Sequence, residues 1–453
     1  MKPKIIEYWE TDRLPQMHKT SPQFRRSLNT AYNSGILQTL YDAPFLPPSE
    51  IKRLQFKRIK GLINLAYYKI PLYQEKYRSV GFEPGDLKSW EDYRHLPVVT
   101  KDELIEAFPS RCVNPDLEYN DLFPTRSSGS SGKTLRIYVD PNAIIVDTLQ
   151  GVRQFWLQNR GIYSKDHIVA HIYTVPWWVD SLGDEEYQTI FISSLIPPEV
   201  IGRILEEVNP DIMSIYPTNL HSILPYISDR VKDKLFLAVV HSEISSKEER
   251  NIYARELRKP VLDEYSSEEL TRIALELPCG HYHICEDAVV LDIVDPDTYQ
   301  PLEDGTGLVI GTNLLNTGMP FIRYIQGDFI TVSEQKPCNV RWRQIEKIEG
   351  RLNDAFIKSD GGYIPAGTIL DITYRWMFDT GINIREFEII QKGPQKIIAN
   401  LSEPNVVNED IFKSRNHLKK LLEYVLGNID LEFNLASHIE KKSRKYRPIR
   451  REF

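Results

Sequence analysis

The chain has 453 residues, 41% of them hydrophobic and 26% charged, with a formal net charge of -7. That length exceeds what one hydrophobic core usually organises, so two or three structural units are expected, and the ordinary composition excludes disordered and fibrous classes. No Lys/Arg-rich run precedes the last dozen residues and no apolar stretch suits a signal peptide or a membrane span, so a cytoplasmic protein without a nucleic-acid footprint or membrane span is expected.

In chain order, Ile51, Leu54, Ile59, Leu62, Ile63 and Ala66 recur at helical spacing and Pro71 stops the pattern, which predicts a helix over residues 49–68. Thr100-Lys101-Asp102-Glu103 reads as a capping box that opens a short helix. Between residues 141 and 263, helical stretches at 144–159, 198–208, 219–227 and 247–257 alternate with apolar runs at 168–173, 212–216 and 235–240. Such alternation predicts crossover units, a largely parallel sheet, and ligands at the carboxyl ends of its strands. From 281 to 334 the texture is β-rich, with strands expected at 288–293, 307–312 and 321–332. A last unit has strands expected near 354–357 and 385–390, a helix over 409–426 closed by Gly427, and a strand at 431–435. The basic run 441–451 is expected to lie beyond these elements. The fold class is therefore α/β, with a large N-terminal domain over 1–349, a β-rich subdomain at about 281–349, and a small α+β C-terminal domain over 350–453.

Ser127-Ser128-Gly129-Ser130-Ser131-Gly132-Lys133-Thr134 concentrates glycines, hydroxyls and one lysine. Glycine lets backbone amides approach a ligand closely, hydroxyls add donors to phosphate oxygens, and lysine adds charge. It is not a Walker-type loop, which needs a glycine where Ser127 stands. By composition alone a phosphate loop and a solvated linker are equally good readings.

With that loop, the chain resembles the adenylate-forming superfamily of acyl- and aryl-CoA ligases, and within it the phenylacetate-CoA ligase and CapK-like branch, over nearly its whole length. The branch carries Ser-Ser-Gly-Thr-Thr-Gly-Lys-Pro, matched here by Ser127 to Thr134 with threonine in place of proline. Tyr265-Ser266-Ser267-Glu268-Glu269 stands where the family has Tyr-Gly-x-Thr-Glu, with serine for glycine and Glu268 for the hydroxyl residue. The resemblance makes Tyr265 and Ser266 neighbours of the nucleotide and Glu269 the carboxylate that holds magnesium. Arg323-Tyr324-Ile325-Gln326-Gly327-Asp328 is similar to the family's Arg-Tyr-x-x-Gly-Asp, whose aspartate, here Asp328, accepts from both ribose hydroxyls. Gly350-Arg351-Leu352-Asn353-Asp354 matches the start of the mobile C-terminal domain, with Asn353 at the hinge and Arg351 toward the phosphates. Ser443-Arg444-Lys445-Tyr446-Arg447 resembles the terminal Gly-Lys-x-x-Arg motif, and its lysine, here Lys445, bridges carboxylate and α-phosphate.

The resemblance implies ATP-dependent formation of an acyl-AMP with release of pyrophosphate, then transfer to a nucleophile, with Lys445, Glu269 and Lys133 as catalytic residues. Coenzyme A is the first choice of acceptor; an amine or a carrier-protein thiol is the alternative, and a non-catalytic nucleotide-binding relative is the rival class. The acyl pocket is expected from Tyr173, Trp177 and Tyr216, and a homodimer is one expected state of assembly.

Cys279-Gly-His281-Tyr-His283-Ile-Cys285, with Cys338 about fifty residues on, offers thiolates and imidazoles for a tetrahedral zinc ion built from Cys279, His283, Cys285 and Cys338. Alternation along a strand would put Cys285 on the side of His281 and His283. Reduced, partly buried thiols are the alternative.

Overall fold

The computed structural model describes residues 21–127, 134–174, 176–359, 361–382, 384, 386–402, 408–436 and 447–453. Helices α1 (Pro22–Asn33), α2 (Ile36–Asp42), α3 (Pro48–Lys69) and α4 (Pro71–Ser79) form an N-terminal layer. Proline stands in the first turn of α1, α3 and α4, where its fixed φ is preorganised, and the Ser21 hydroxyl caps α1 by accepting from the Phe24 amide at 3.1 Å. The predicted stripe of α3 is buried at Ile51, Ile59, Leu62, Ile63 and Ala66, whereas Leu54 is exposed. After α5 (Trp90–Arg94) comes α6 (Lys101–Ala107), which opens with the expected capping box: the Glu103 amide donates to Thr100 Oγ1 at 3.3 Å and the Thr100 amide to Glu103 Oε2 at 2.8 Å.

The hairpin β1 (Phe123–Arg126) and β2 (Arg136–Val139) brackets the glycine-serine loop, and α7 (Pro141–Gln158) follows. Strands β3 (Val169–Tyr173) and β4 (Thr189–Ser193), helix α8 (Pro198–Val208), strand β5 (Ile212–Ile215), helices α9 (Pro217–Ile223) and α10 (Asp229–Lys234), strand β6 (Leu237–His241), helix α11 (Lys247–Leu257) and strand β7 (Val261–Ser267) build crossover units. Their order β7-β6-β5-β3-β4 is parallel throughout. Strands β8 (Thr271–Glu276) and β9 (Tyr282–Ile284) continue the sheet antiparallel.

Strands β10 (Val289–Val294), β11 (Gly305–Asn313) and β12 (Tyr324–Val332) start a second sheet. The pair β13 (Gln344–Ile345) and β14 (Lys347–Arg351) then splits: β13 joins β9 at the end of the eight-stranded sheet, and β14 pairs with β12 in the four-stranded antiparallel one. The β-rich stretch is thus shared between two sheets.

The last elements are β15 (Phe356–Ile357), β16 (Tyr363–Ile364), α12 (Ala366–Thr380), β17 (Glu386–Gly393), β18 (Lys396–Ser402), α13 (Asn408–Leu426), β19 (Asp430–Ala436) and β20 (Ile449–Arg451). Their own core gathers Ile369, Trp376, Ile389, Leu401, Leu418 and Leu431, and the Trp376 indole donates to the Ser414 carbonyl at 3.1 Å. Two features differ from expectation. Helix α12 is absent from the sequence reading because Thr368, Ile369, Ile372, Thr373 and Tyr374 have β-branched or aromatic side chains that obscure helical spacing. The basic run does not lie wholly beyond the elements: Ile449 is buried and β20 pairs parallel with β17, while Arg450 Nη1 meets Glu388 Oε1 at 2.7 Å.

Candidate active site

The glycine-serine loop is anchored at its neck. Arg126 opposes Arg136 in the last rung of the hairpin, the Ser127 amide donates to the Leu135 carbonyl at 2.9 Å, and the Leu135 amide to Ser127 Oγ at 3.1 Å. Ser127 is buried and Thr134 exposed. Ser128, Gly129, Ser130, Ser131, Gly132 and Lys133 lie outside the described residues. Just before the neck, Thr125 Oγ1 donates to Glu268 Oε2 at 2.8 Å, so the glutamate in the place of the family's hydroxyl residue ties the loop to the end of β7.

A β-bulge between Tyr265 and Ser266 ends the regular part of β7. The Tyr265 hydroxyl donates to Asp328 Oδ2 at 2.7 Å, and Arg351 Nε stands 3.2 Å from Asp328 Oδ1. Asp328 and Arg351 are direct neighbours across β12 and β14, so the ladder itself places guanidinium beside carboxylate. Burial, then the Asp328 charge, push the Tyr265 hydroxyl well above its usual range, so it stays protonated and donates. The same aspartate raises Arg351. Each carboxylate oxygen accepts up to two bonds, so Asp328 retains acceptor capacity beyond these partners.

Glu269 is buried; its carbonyl accepts from Asn313 Nδ2 at 3.0 Å and its Oε1 from the Tyr324 hydroxyl at 3.3 Å. Lys101, first residue of α6, faces this group: burial lowers its pKa, the Glu269 charge raises it and Arg351 lowers it further. Lys101, Thr125 and Asn313 were not singled out from the sequence for this site. Lys101 and Thr125 were visible only as parts of a capping box and a loop flank, and Asn313 carried no signal. Arg323, by contrast, acts in packing: its Nε donates to the Leu96 carbonyl at 2.8 Å and its Nη1 meets Asp292 Oδ2 at 3.2 Å.

Asn353 is exposed in a single 3-10 turn, Leu352–Asp354, directly after β14. Gly350 has φ +92°, a conformation strained for any side chain, and a Cβ there would stand 3.0 Å from Ile244 Cδ1. Asp354 forms an ion pair with Arg447, which brings the chain's last segment back to this turn, and the Arg351 charge bears on Arg447. Lys445 lies outside the described residues.

At the carboxyl ends of β3 and β5 the Tyr173 and Tyr216 rings stack with centroids 4.8 Å apart. Trp177 packs on the N-terminal core and makes no ring contact with either tyrosine among the described residues. Beside the tyrosines, His171 Nδ1 is 3.1 Å from Ser214 Oγ, which is 2.9 Å from His241 Nε2. Desolvation of the half-buried ring and the neighbouring His241 push His171 down to about 3, so both favour a neutral ring.

The ligand atoms of Cys279, His283 and Cys338 lie within 4.8 Å of one another. His283 Nε2 is 3.4 Å from Cys279 Sγ, and its Nδ1 is 3.2 Å from the Trp342 carbonyl, a partner that fixes the ring and leaves Nε2 for a metal. Burial lowers His283 to about 4 and raises the Cys279 thiol. Cys285 is a correction to the expected ligand set. Strand β9 ends at Ile284, so alternation does not carry to Cys285, whose thiol is raised to about 12 by burial and feels the charges of Arg153 and Asp287 instead.

No family model matches the chain. Among curated proteins it is similar to phenylacetate-coenzyme A ligase of Escherichia coli (strain K12), 26% identical over 325 residues that cover 68% of this chain and 72% of that protein. It is also similar to protein CapK of Staphylococcus aureus, 21% identical over 412 residues, 86% of this chain and 87% of the other. Among solved structures, 2-hydroxyisobutyryl-CoA ligase in the postadenylation state with 2-HIB-AMP aligns at TM-score 0.75 and 17% identity over 90% of both chains. ATP-bound MatB from Rhodopseudomonas palustris aligns at TM-score 0.53 and 13% identity, covering 73% of this chain and 67% of that one. These structural likenesses establish the α/β fold.

The depressed His171 has a consequence for stability. The unfolded imidazole takes up a proton near pH 6.5 and the folded one only near 3, so stability is lost as pH falls through that interval. Between pH 7 and 5 this one group costs roughly 1–2 kcal/mol. Urea unfolding at both pH values should give a shallower decline for His171→Gln than for the parent; equal declines would remove His171 as a cause.

Proposed function

We propose that this chain, a member of the adenylate-forming superfamily on its phenylacetate-CoA ligase-like branch, activates a carboxylic acid with ATP to an acyl-AMP, releases pyrophosphate, and passes the acyl group to coenzyme A. The observation that carries the reading is the joined group Tyr265–Asp328–Arg351 and Glu269–Tyr324 at the carboxyl end of β7, tied by Glu268 to the neck of the glycine-serine loop. That is where an open α/β sheet receives a ligand.

In this reading Asp328 takes the ribose hydroxyls, Tyr265 and Ser266 flank the adenine, and the loop from Ser127 to Thr134 grips the phosphates with Lys133 as its charge. Glu269 fits magnesium: it is a buried carboxylate, a hard oxygen donor, and its Oε2 has no hydrogen bond among the described residues. A bound magnesium ion would neutralise phosphate charge as it shifts toward the leaving pyrophosphate. Arg351 and Lys445 would face the phosphate that is attacked, and a cation placed there stabilises the charge that develops. The division at 349/350 would let the C-terminal domain turn about Asn353 between the two steps. Coenzyme A is preferred as acceptor because it appears in the names of the similar ligases; an amine or carrier thiol would use the same first step. A cytoplasmic location accords with the absence, among the described residues, of any helix long and apolar enough to cross a membrane.

Cys279, His283 and Cys338 are the proposed ligands of a structural zinc ion that would join β9 to the segment before β13. Two thiolates and one imidazole suit zinc, and the Trp342 carbonyl already orients the histidine.

Acid-dependent exchange of labelled pyrophosphate into ATP is the direct test of the first step. Exchange with some member of an acid library is expected, and none with any acid despite ATP binding would favour the non-catalytic reading. In Lys445→Ala, adenylation should fall about 10²–10³-fold with ATP binding retained; unchanged adenylation would sink the lysine assignment. Protein purified without chelator should hold about one zinc per chain, lost in Cys338→Ser; less than about half an equivalent would remove the metal.

A further inference from the structure

The large sheet changes character along the face that α7 covers. On that face Val169, Ile212, Leu237 and Val239 are buried apolar residues of the core. Two positions further along β3, β5 and β6 stand His171, Ser214 and His241, and Glu264 stands on the adjacent β7. The register puts His171 beside Ser214 and His241 beside Glu264, and Ser214 is bonded to both imidazoles, so four adjacent strands carry one polar row. A parallel sheet buried on both faces ordinarily continues in aliphatic residues.

Helix α7 answers with polar residues of its own. Asp147, Gln150, Gln154 and Gln158 recur at helical spacing and are buried. Most of their polar atoms are committed. Gln158 Nε2 donates to the carbonyls of Asp263 and Glu276 at 3.2 and 3.1 Å. Arg272 pairs with Asp147, its Nη1 also donates to the Asp147 carbonyl at 2.7 Å, and its Nε donates to Gln154 Oε1 at 2.7 Å. A Cβ on Gly151 would lie 2.9 Å from Arg272 Nη2, so the glycine makes room for that guanidinium. Gln154 Nε2 donates to Glu264 Oε2 at 2.7 Å.

Beside Gln150 Oε1, which is buried without a partner among the described residues, two atoms of the strand row are left over. Glu264 Oε1 and His171 Nε2 have no hydrogen-bond partner among the described residues, and both side chains are half-buried. They adjoin the Tyr173–Tyr216 stack: the His171 and Tyr173 ring centroids are 5.1 Å apart, and the Glu264 charge bears on Tyr173. Both atoms keep contact with solvent, so a ligand can reach them. An apolar acid seated there would take the carboxylate oxygen from water without supplying a donor, which is costly, and an acid that brings the donor avoids that cost.

We infer that the acid activated here carries a hydrogen-bond-donating substituent, an amino or hydroxyl group, remote from its reacting carboxylate, and that Glu264 receives this group with His171 beside it. The inference rests on the adenylation reading above and names its substrate class. Glu264 is a specificity residue: it selects the acid and takes no part in the attack on ATP. Since the site's polar atoms are unpaired when the substituent is missing, discrimination is large, as it is wherever a pocket is built to bond a substrate OH or NH.

Pyrophosphate exchange measured with matched acids tests this, each apolar acid, phenylacetate included, being paired with its amino- and hydroxy-substituted counterparts. Substituted acids should exceed their parents in kcat/KM by about a hundredfold or more, and a lead of amino over hydroxy acids, or the reverse, identifies the donor. In Glu264→Leu that ratio should fall at least about tenfold through KM for the substituted acid, with KM for ATP within about twofold of the parent. Glu264→Gln, which keeps the shape, serves if the leucine variant does not bind ATP. Equal use of parent and substituted acids, or a ratio unmoved in both variants, overturns the inference and leaves adenylation standing. No exchange with any acid overturns the adenylation reading, and this inference with it.

Discussion

Asp328 is the residue on which the site depends, because three strands meet at its carboxylate. It lies on β12 in the four-stranded sheet, its Arg351 neighbour lies on β14, and Tyr265 reaches it from β7 of the eight-stranded sheet. A buried carboxylate is tolerated only where donors replace water, and here a phenol and a guanidinium do so. The two sheets are therefore held in register at one charge, and a chain turn with an exposed Asn353 follows directly after β14. Loss of either donor would leave a buried anion short of a partner, so the fold and the site constrain the same atoms.

Around this centre the charges are arranged in opposition. Glu268, Glu269 and Asp328 supply negative charge, and Arg351 and Lys101 supply positive charge on the side of α6 and β14. Lys101 shows the balance: burial works against its charge while Glu269 supports it. On the adenylation reading an anionic ligand entering between these cations would meet fixed partners that need no reorganisation, and a metal ion would meet a carboxylate oxygen not engaged among the described residues.

Much of this was legible in the sequence, and the exceptions have physical reasons. Helices α8 and α11 were readable to the residue because apolar spacing, the residues 197–198 Pro-Pro start and the Ser246 cap agree with one another. Tyr265, Glu269, Asp328 and Arg351 stood out by motif, and the fold brings them together. Helix α12 was hidden because its β-branched residues take helical geometry only when Ile369, Leu370 and Trp376 pack in the last core. Cys285 misled because alternation was extended one residue past the end of β9. The row from His171 to Glu264 was invisible for another reason: its members lie on four strands, spaced tens of residues apart, and only parallel register makes them neighbours.

On the adenylation reading, that register would also let one strand serve two ligands. Side chains alternate along a strand, so Glu264 and Tyr265 project to opposite faces. Glu264 turns to α7 and bonds Gln154, and Tyr265 turns to β12 and bonds Asp328. The bulge that follows breaks the alternation before it can return a residue to the α7 face, and the chain turns off to Glu268 and Glu269. On the adenylation reading the acid and the nucleotide must meet with the carboxylate next to the phosphate. Consecutive residues of a strand with opposed side chains fix the two recognition groups about 3.3 Å apart along the backbone without letting them touch. A substitution on one face can then alter the choice of acid while the bonds that hold the nucleotide stay in place.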